Sequence, residues 1–220
     1  MLCRFRSLSR AVHEERVRER QHERKKTYPR TEATMGTSLT VWRKSLLISC
    51  KGFTVIDSEG NLVYRVDNYM GRPDEITLMD ASGKSVLTVR RRSKKLVVVE
   101  SWNVYAGEVG NHQRKSSEER PICCVRKRVN IFQGKPKVQA YVYREASDKK
   151  RYDFAVEGSY AYRTCKVVDA SDKVVAEIRR KEAIAKDVSF GIEIFQLIVH
   201  PGFDPGFAMA LVLLLDQMFS

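Results

Sequence analysis

No C-x-x-C spacing occurs in this sequence, and its five cysteines (Cys3, Cys50, Cys123, Cys124 and Cys165) are odd in number. That argues against the disulfide framework of a small secreted domain and against a structural zinc site. A reducing cytosolic or nuclear compartment fits better. No apolar run reaches the ~20 residues that a membrane-crossing helix needs. The motifs G-x-S-x-G, H-E-x-x-H, G-x-x-x-x-G-K-S/T and G-x-G-x-x-G are all missing, so catalysis has little support. Acidic charge is in short supply: 27 Asp+Glu stand against 40 Lys+Arg, for a net charge of +13 over 220 residues. Such an excess favours anionic partners, either nucleic acid or the lipids of an inner leaflet.

Residues 1–36 offer few large apolar side chains. They are basic, mostly from Arg16 to Lys26, and lack the apolar core of about 7–15 residues that marks a secretory signal. Glu14, Glu15, Glu19 and Glu23 weaken an organelle-transit reading. The expectation is a disordered basic tail with transient helix between Val12 and Lys26. Met35-Gly36-Thr37-Ser38-Leu39-Thr40 matches the myristoylation pattern M-G-x-x-x-S/T. The acceptor must be a terminal glycine, so the pattern is inert unless translation starts at Met35.

The texture then changes to short runs rich in Val, Ile, Tyr and Phe. Strands are expected at Leu39–Trp42, Leu46–Ser49, Phe53–Asp57, Leu62–Asp67, Glu75–Asp80, Ser85–Arg91 and Leu96–Tyr105. Further strands are expected at Ile122–Val129, Lys137–Arg144, Tyr152–Glu157, Cys165–Asp169, Val174–Arg180 and Phe190–Val199. Strands at this spacing, joined by polar turns, indicate an all-β sandwich or barrel. The loops Asn68–Asp74 and Gly110–Pro121 are long and polar, and the second, without a large apolar residue, is expected to be mobile. No linker is long enough to divide the chain, so residues 37–220 read as one domain.

A weak repeat supports the hairpins. Phe53–Leu62, Ile76–Val86 and Cys165–Val174 each run strand, Asp, two small or polar residues, Gly or Asp, strand. The Asp can accept hydrogen bonds from the turn, and the Gly or Asp can take a positive φ. The turns lack the ligand order of a calcium loop.

The end of the chain is the most informative stretch. Asp204-Pro205 reads as the N-cap and first residue of a helix. The run Phe207–Leu215 that follows is apolar on every side, so it belongs either in lipid or in a fully enclosing core. A helix over residues 205–219, about 22 Å long, falls short of a bilayer core of about 30 Å. The geometric solution is a helix threaded through a β-barrel. Each large side chain buried there would contribute about 1.5–3 kcal/mol before entropy.

A basic, strand-rich domain closed by such a helix resembles the tubby C-terminal domain, a closed antiparallel barrel of about 12 strands around a central helix. More closely, Trp42–Ser49, Phe53–Asp67, Glu157–Tyr160, Val188–Glu193 and Val199–Leu211 resemble the LURP-one-related family of plants. The resemblance covers about residues 37–220 and leaves out the basic tail. It implies a fold similar to tubby proteins and phospholipid scramblases. Tubby domains bind phosphoinositides and can leave the membrane for the nucleus, and the plant family is linked to pathogen defence. A shared fold does not transfer a function.

The basic clusters are the strongest functional signal. Arg90, Arg91, Arg92, Lys94 and Lys95 sit between two strands, where a hairpin tip would present them to anionic headgroups. Arg126 and Arg128 alternate on one face of a strand. Lys149–Arg151 and Arg179–Lys181 are further clusters. These clusters carry no interleaved aromatics, which disfavours nucleic acid as a partner. His200 reads as a turn residue, and Glu157–Tyr160 as a tight turn. Cys123 and Cys124 face opposite ways, one to the core and one to the surface. No catalytic residue, metal or cofactor is expected, and no calcium segment or palmitoylation cluster favours scramblase activity. The expectation is a non-enzymatic binding or adaptor module for anionic phospholipid or phosphoinositide, cytoplasmic, peripheral at a membrane or nuclear. The rivals are a protein-interaction domain with no lipid role and a transcription regulator.

Overall fold

The computed structural model describes residues 36–47, 51–67, 74–92, 100–109, 120–128, 138–144, 151–181 and 191–219. The tail, Lys94, Lys95, most of the loops 68–74 and 110–121, and Ile48 and Ser49 of the expected strand Leu46–Ser49 lie outside those residues. Twelve strands close into a barrel: β1 (Thr37–Trp42), β2 (Phe53–Ile56), β3 (Leu62–Val66), β4 (Glu75–Asp80), β5 (Ser85–Arg91), β6 (Ser101–Ala106), β7 (Cys123–Lys127), β8 (Val138–Tyr143), β9 (Phe154–Ser159), β10 (Thr164–Asp169), β11 (Val174–Arg180) and β12 (Ile194–Val199). Each strand pairs antiparallel with its sequence neighbours. β1 then pairs with both β2 and β12, which closes the ring and leaves no open edge.

The period-2 pattern of apolar residues decides which way each strand faces. Leu39 and Val41 of β1, Ile76 and Leu78 of β4, and Phe195, Leu197 and Val199 of β12 all point inward and are buried. They surround the helix α1 (Pro205–Phe219), whose residues from Gly206 to Asp216 are all buried. Asp204 caps it: its Oδ1 accepts the Phe207 N–H at 2.6 Å, and its carbonyl accepts the Ala208 N–H. At the other end, the Lys127 ammonium donates to the Met218 carbonyl at 2.6 Å, supplying one of the partners that a helix C-terminus lacks.

The three repeated turns share one geometry. Oδ1 of Asp57 accepts the N–H groups of Glu59 and Asn61, that of Asp80 those of Ser82 and Lys84, and that of Asp169 those of Ser171 and Lys173. The left-handed position is filled by Gly60, Gly83 and Asp172, with φ of 88°, 89° and 61°. In each hairpin the register shifts by one residue on the strand that follows the turn, where Val63, Val86 and Val175 are the extra residues, as in a β-bulge.

Several expectations need correction. Leu46 and Leu47 form bends, not a strand. Of the expected strand Leu96–Tyr105, residues 96–99 lie outside the described residues and β6 runs from Ser101; of Phe190–Val199, Phe190 lies outside them and β12 runs from Ile194. Glu157–Ser159 complete β9, and the turn is Tyr160–Arg163. Gly158, at φ 103°, pairs with Cys165, and a Cβ there would lie about 2.0 Å from the Thr164 carbonyl oxygen, so the glycine serves strand packing rather than a turn. Cys123 and Cys124 do face opposite ways, but both are buried. Cys123 belongs to the core, while Cys124 is covered on the outer face, in register between Asn103 and Tyr143.

Candidate anion-binding end of the barrel

The helix gives the barrel two distinguishable ends. Around its N-terminus lie the Asp57, Asp80 and Asp169 turns together with Asp204, and among the described residues acids outnumber cations there. Hydrogen bonds from Asn61 and the turn backbone hold the Asp57 carboxyl below its ordinary pKa, and those from Ser82 and Lys84 do the same for Asp80. Arg151 of the Lys149–Arg151 cluster falls near this end; Lys149 and Lys150 lie outside the described residues.

Around the helix C-terminus the balance reverses. Four of the six strands that run toward this end finish in cations: Arg43 and Lys44 after β1, Arg90–Arg92 on β5, Arg126–Arg128 on β7, and Arg179–Lys181 on β11; β3 and β9 do not. An up-and-down barrel sends alternate strand ends to the same side, so clusters far apart in sequence share one rim. Arg90 is engaged by Glu75 at 2.7 Å. Arg91 pairs with Glu100 at 2.7 Å, and Glu100 also approaches Lys127 at 3.7 Å. Arg92, Arg126 and Arg128 have no carboxylate partner among the described residues and are the available cations of the predicted set.

Aromatic rings do interleave with these cations, contrary to the reading within clusters. The guanidinium of Arg126 lies 4.7 Å from the Tyr143 ring centroid, that of Arg90 lies 5.8 Å from Tyr105, and that of Arg91 lies 5.8 Å from Trp102. Each ring comes from a neighbouring strand, so only register brings the pairs together.

Sequence reasoning missed the polar cluster beneath the rim. Asp216, on the last turn of α1, is buried; Arg43 Nε reaches its Oδ1 at 2.9 Å, and the Tyr160 hydroxyl at 3.1 Å. Burial opposes the charge on Arg43, but Asp216 outweighs it and raises the pKa. Arg163, also buried, lies 4.0 Å from the Tyr160 ring centroid and 4.5 Å from that of Phe195. Its signal was the polar Asp216 inside an apolar helix, which demanded partners.

His200 follows β12 and is half-exposed, with its Nε2 3.3 Å from Glu177. Burial raises the Glu177 pKa, but hydrogen bonds from Arg179 and His200 outweigh it, so the carboxyl is held below its ordinary value. Burial pushes the Cys123 and Cys165 thiols up to about 12, which leaves them protonated and poorly nucleophilic near neutral pH. No group of three metal-ligating side chains occurs among the described residues, and no helix among them is long and apolar enough to cross a membrane.

The LURP-one-related family model matches residues 37–216, the span of the barrel and nearly all of α1. This chain belongs to the LURP-one-related family. Among relatives, the Arabidopsis thaliana protein LURP-one-related 17 is 50% identical over 191 residues, covering 84% of each chain. LURP-one-related 8 of the same plant is 47% identical, over 82% of this chain and 86% of that one. An X-ray structure of an Arabidopsis thaliana protein shares the fold with a TM-score of 0.57 at 26% identity, covering 83% of this chain and 90% of that chain. The LURP-one-related match therefore lies on the barrel and leaves the basic tail outside.

Proposed function

We propose that this LURP-one-related barrel is a non-catalytic binding module that docks on anionic membrane surfaces, with phosphoinositide-bearing membranes as the preferred class, through the end that holds the helix C-terminus. One observation carries the reading: the available cations Arg92, Arg126 and Arg128 collect at one end, while the Asp turns collect at the other. A bilayer is a plane of negative charge, and a barrel with charge divided along its axis presents one end to it. Each cation near such a surface contributes about 1 kcal/mol. Attraction of this kind weakens as salt rises.

Co-sedimentation with vesicles tests it. The protein should pellet with phosphatidylserine- or phosphoinositide-containing vesicles and stay in solution with phosphatidylcholine alone. The triple variant Arg92→Ala, Arg126→Ala, Arg128→Ala should bind about 100-fold more weakly, at roughly 1 kcal/mol per charge, with an unchanged melting curve. Equal binding by variant and wild type would reject the site.

A protein-interaction role is the second reading. It draws on the outer face of β5–β8, where Tyr105, Tyr141 and Tyr143 stand with Arg90 and Arg126. Tyrosine and arginine are the residues most often found at protein hot spots.

A further inference from the structure

We propose that the part of this rim formed by residues 42–47, 160–163 and 191–193, at the β1–β2, β9–β10 and β11–β12 connections, is a bilayer-insertion edge. In this arrangement Trp42, Leu46, Leu47, Tyr162 and Ile192 enter the headgroup–acyl boundary of an anionic membrane, and Lys44 and Arg180 hold its phosphates. The inference rests on the membrane-docking reading and adds a mode of attachment that charge alone does not supply.

Six large apolar residues are exposed among the described residues, and five of them lie at this one end: Trp42 (41%), Leu46 (51%), Leu47 (51%), Tyr162 (65%) and Ile192 (50%). Ile122 alone sits at the other end. Scattered exposed apolar residues need no explanation, whereas a cluster at one end of a molecule marks an interaction surface. The three connections are adjacent because β10, β11, β12 and β1 are consecutive in the ring.

The tips are held in place from beneath. Arg163 donates through Nε to the Ile192 carbonyl at 2.9 Å and through Nη1 to the Tyr160 carbonyl at 3.1 Å. Arg180 Nε donates to the Tyr162 carbonyl at 3.2 Å. The Arg43 N–H donates to the Glu193 carbonyl at 2.8 Å, which ties Trp42's strand end to Ile192's loop. Ser45 Oγ accepts the Leu47 N–H, and the Thr54 hydroxyl donates to the Lys44 carbonyl. Apolar tips already fixed in position lose little conformational entropy on docking.

Charge complementarity names the occupant. Lys44, whose ammonium lies 5.3 Å from the Trp42 ring centroid, and Arg180 have no carboxylate partner among the described residues. The acid nearby, Glu193, faces Arg43 at 3.6 Å. Tryptophan, tyrosine and aliphatic tips ringed by cations match the composition of an interfacial membrane contact. All three connections and the Arg92, Arg126 and Arg128 side of the rim belong to the same end of the barrel.

The test uses the full chain and vesicles of phosphatidylcholine with phosphatidylserine, and again with a phosphoinositide. Trp102 is buried, so a blue shift on adding vesicles reports Trp42; Trp42→Phe should abolish it. The variant Leu46→Ser, Leu47→Ser, Ile192→Ser should keep its circular dichroism spectrum and its salt-sensitive adsorption. It should lose the salt-resistant fraction and bind at least about tenfold more weakly at raised salt. Vesicle binding without a Trp42 shift, or an apolar variant that binds like wild type at raised salt, overturns the insertion edge and leaves charge-driven docking standing. Failure of the wild type to bind any anionic vesicle overturns both.

Discussion

Asp216 is the one charged side chain on the terminal helix, and it sits near the end where the helix dipole disfavours a carboxylate. Arg43 and the Tyr160 hydroxyl offset both that field and the loss of water. The arrangement fastens α1 to the end of β1, one residue before the exposed Lys44 and three before the exposed Leu46. Removing one partner of a buried pair leaves the other charge badly solvated. Arg43→Ala should therefore lower stability by about 2 kcal/mol, less than for a fully enclosed pair because the Arg43 side chain is 35% exposed. Urea titration reads this directly, and an unchanged midpoint would show that Asp216 is satisfied without Arg43.

Among the elements, the hairpins obey local chemistry most plainly. Asp57, Asp80 and Asp169 organise turns that differ mainly at the left-handed position, where Asp172 stands in place of Gly60 and Gly83. A Cβ is strained at φ 61°, though Asp tolerates it better than most residues. Asp172→Gly should raise stability by under about 1 kcal/mol, since relief of strain is partly offset by a more flexible unfolded chain. A fall in melting temperature would mean that the Asp172 side chain does more than fill the turn. Such turns, the inward alternation and the helix cap at Asp204 were legible in the sequence because each depends on neighbours within about five residues. The Arg126–Tyr143 and Arg43–Asp216 partnerships were not, because strand register and barrel closure make them. Leu46 and Leu47 misled for the same reason: two apolar residues beside Ser45 read as strand, but no partner strand claims them and they stay exposed. The sequence-predicted cations at Arg90 and Arg91 did reach the rim, where Glu75 and Glu100, distant in sequence or beyond the strand, neutralise them.

At the scale of the whole molecule, the apolar helix and the closed sheet require each other. The inward side chains of twelve strands need something to pack on, and α1 has no polar face to turn toward water. Because the helix is enclosed, it is unavailable as an anchor. Leu213 is fully buried, so Leu213→Asp should enclose a carboxylate without a partner, or force it to stay protonated, at a cost of several kcal/mol. That is comparable with the total stability of an ordinary domain. Deleting the helix should do more, leaving a hollow ring of apolar side chains that collapses or aggregates. The fragment of residues 37–203 is therefore expected to show no cooperative thermal transition by circular dichroism. If α1 were instead a detachable anchor, the same fragment would melt cooperatively and lose only its membrane attachment. A sharp melt for the fragment would break the link between helix and barrel on which the fold and the rim both depend.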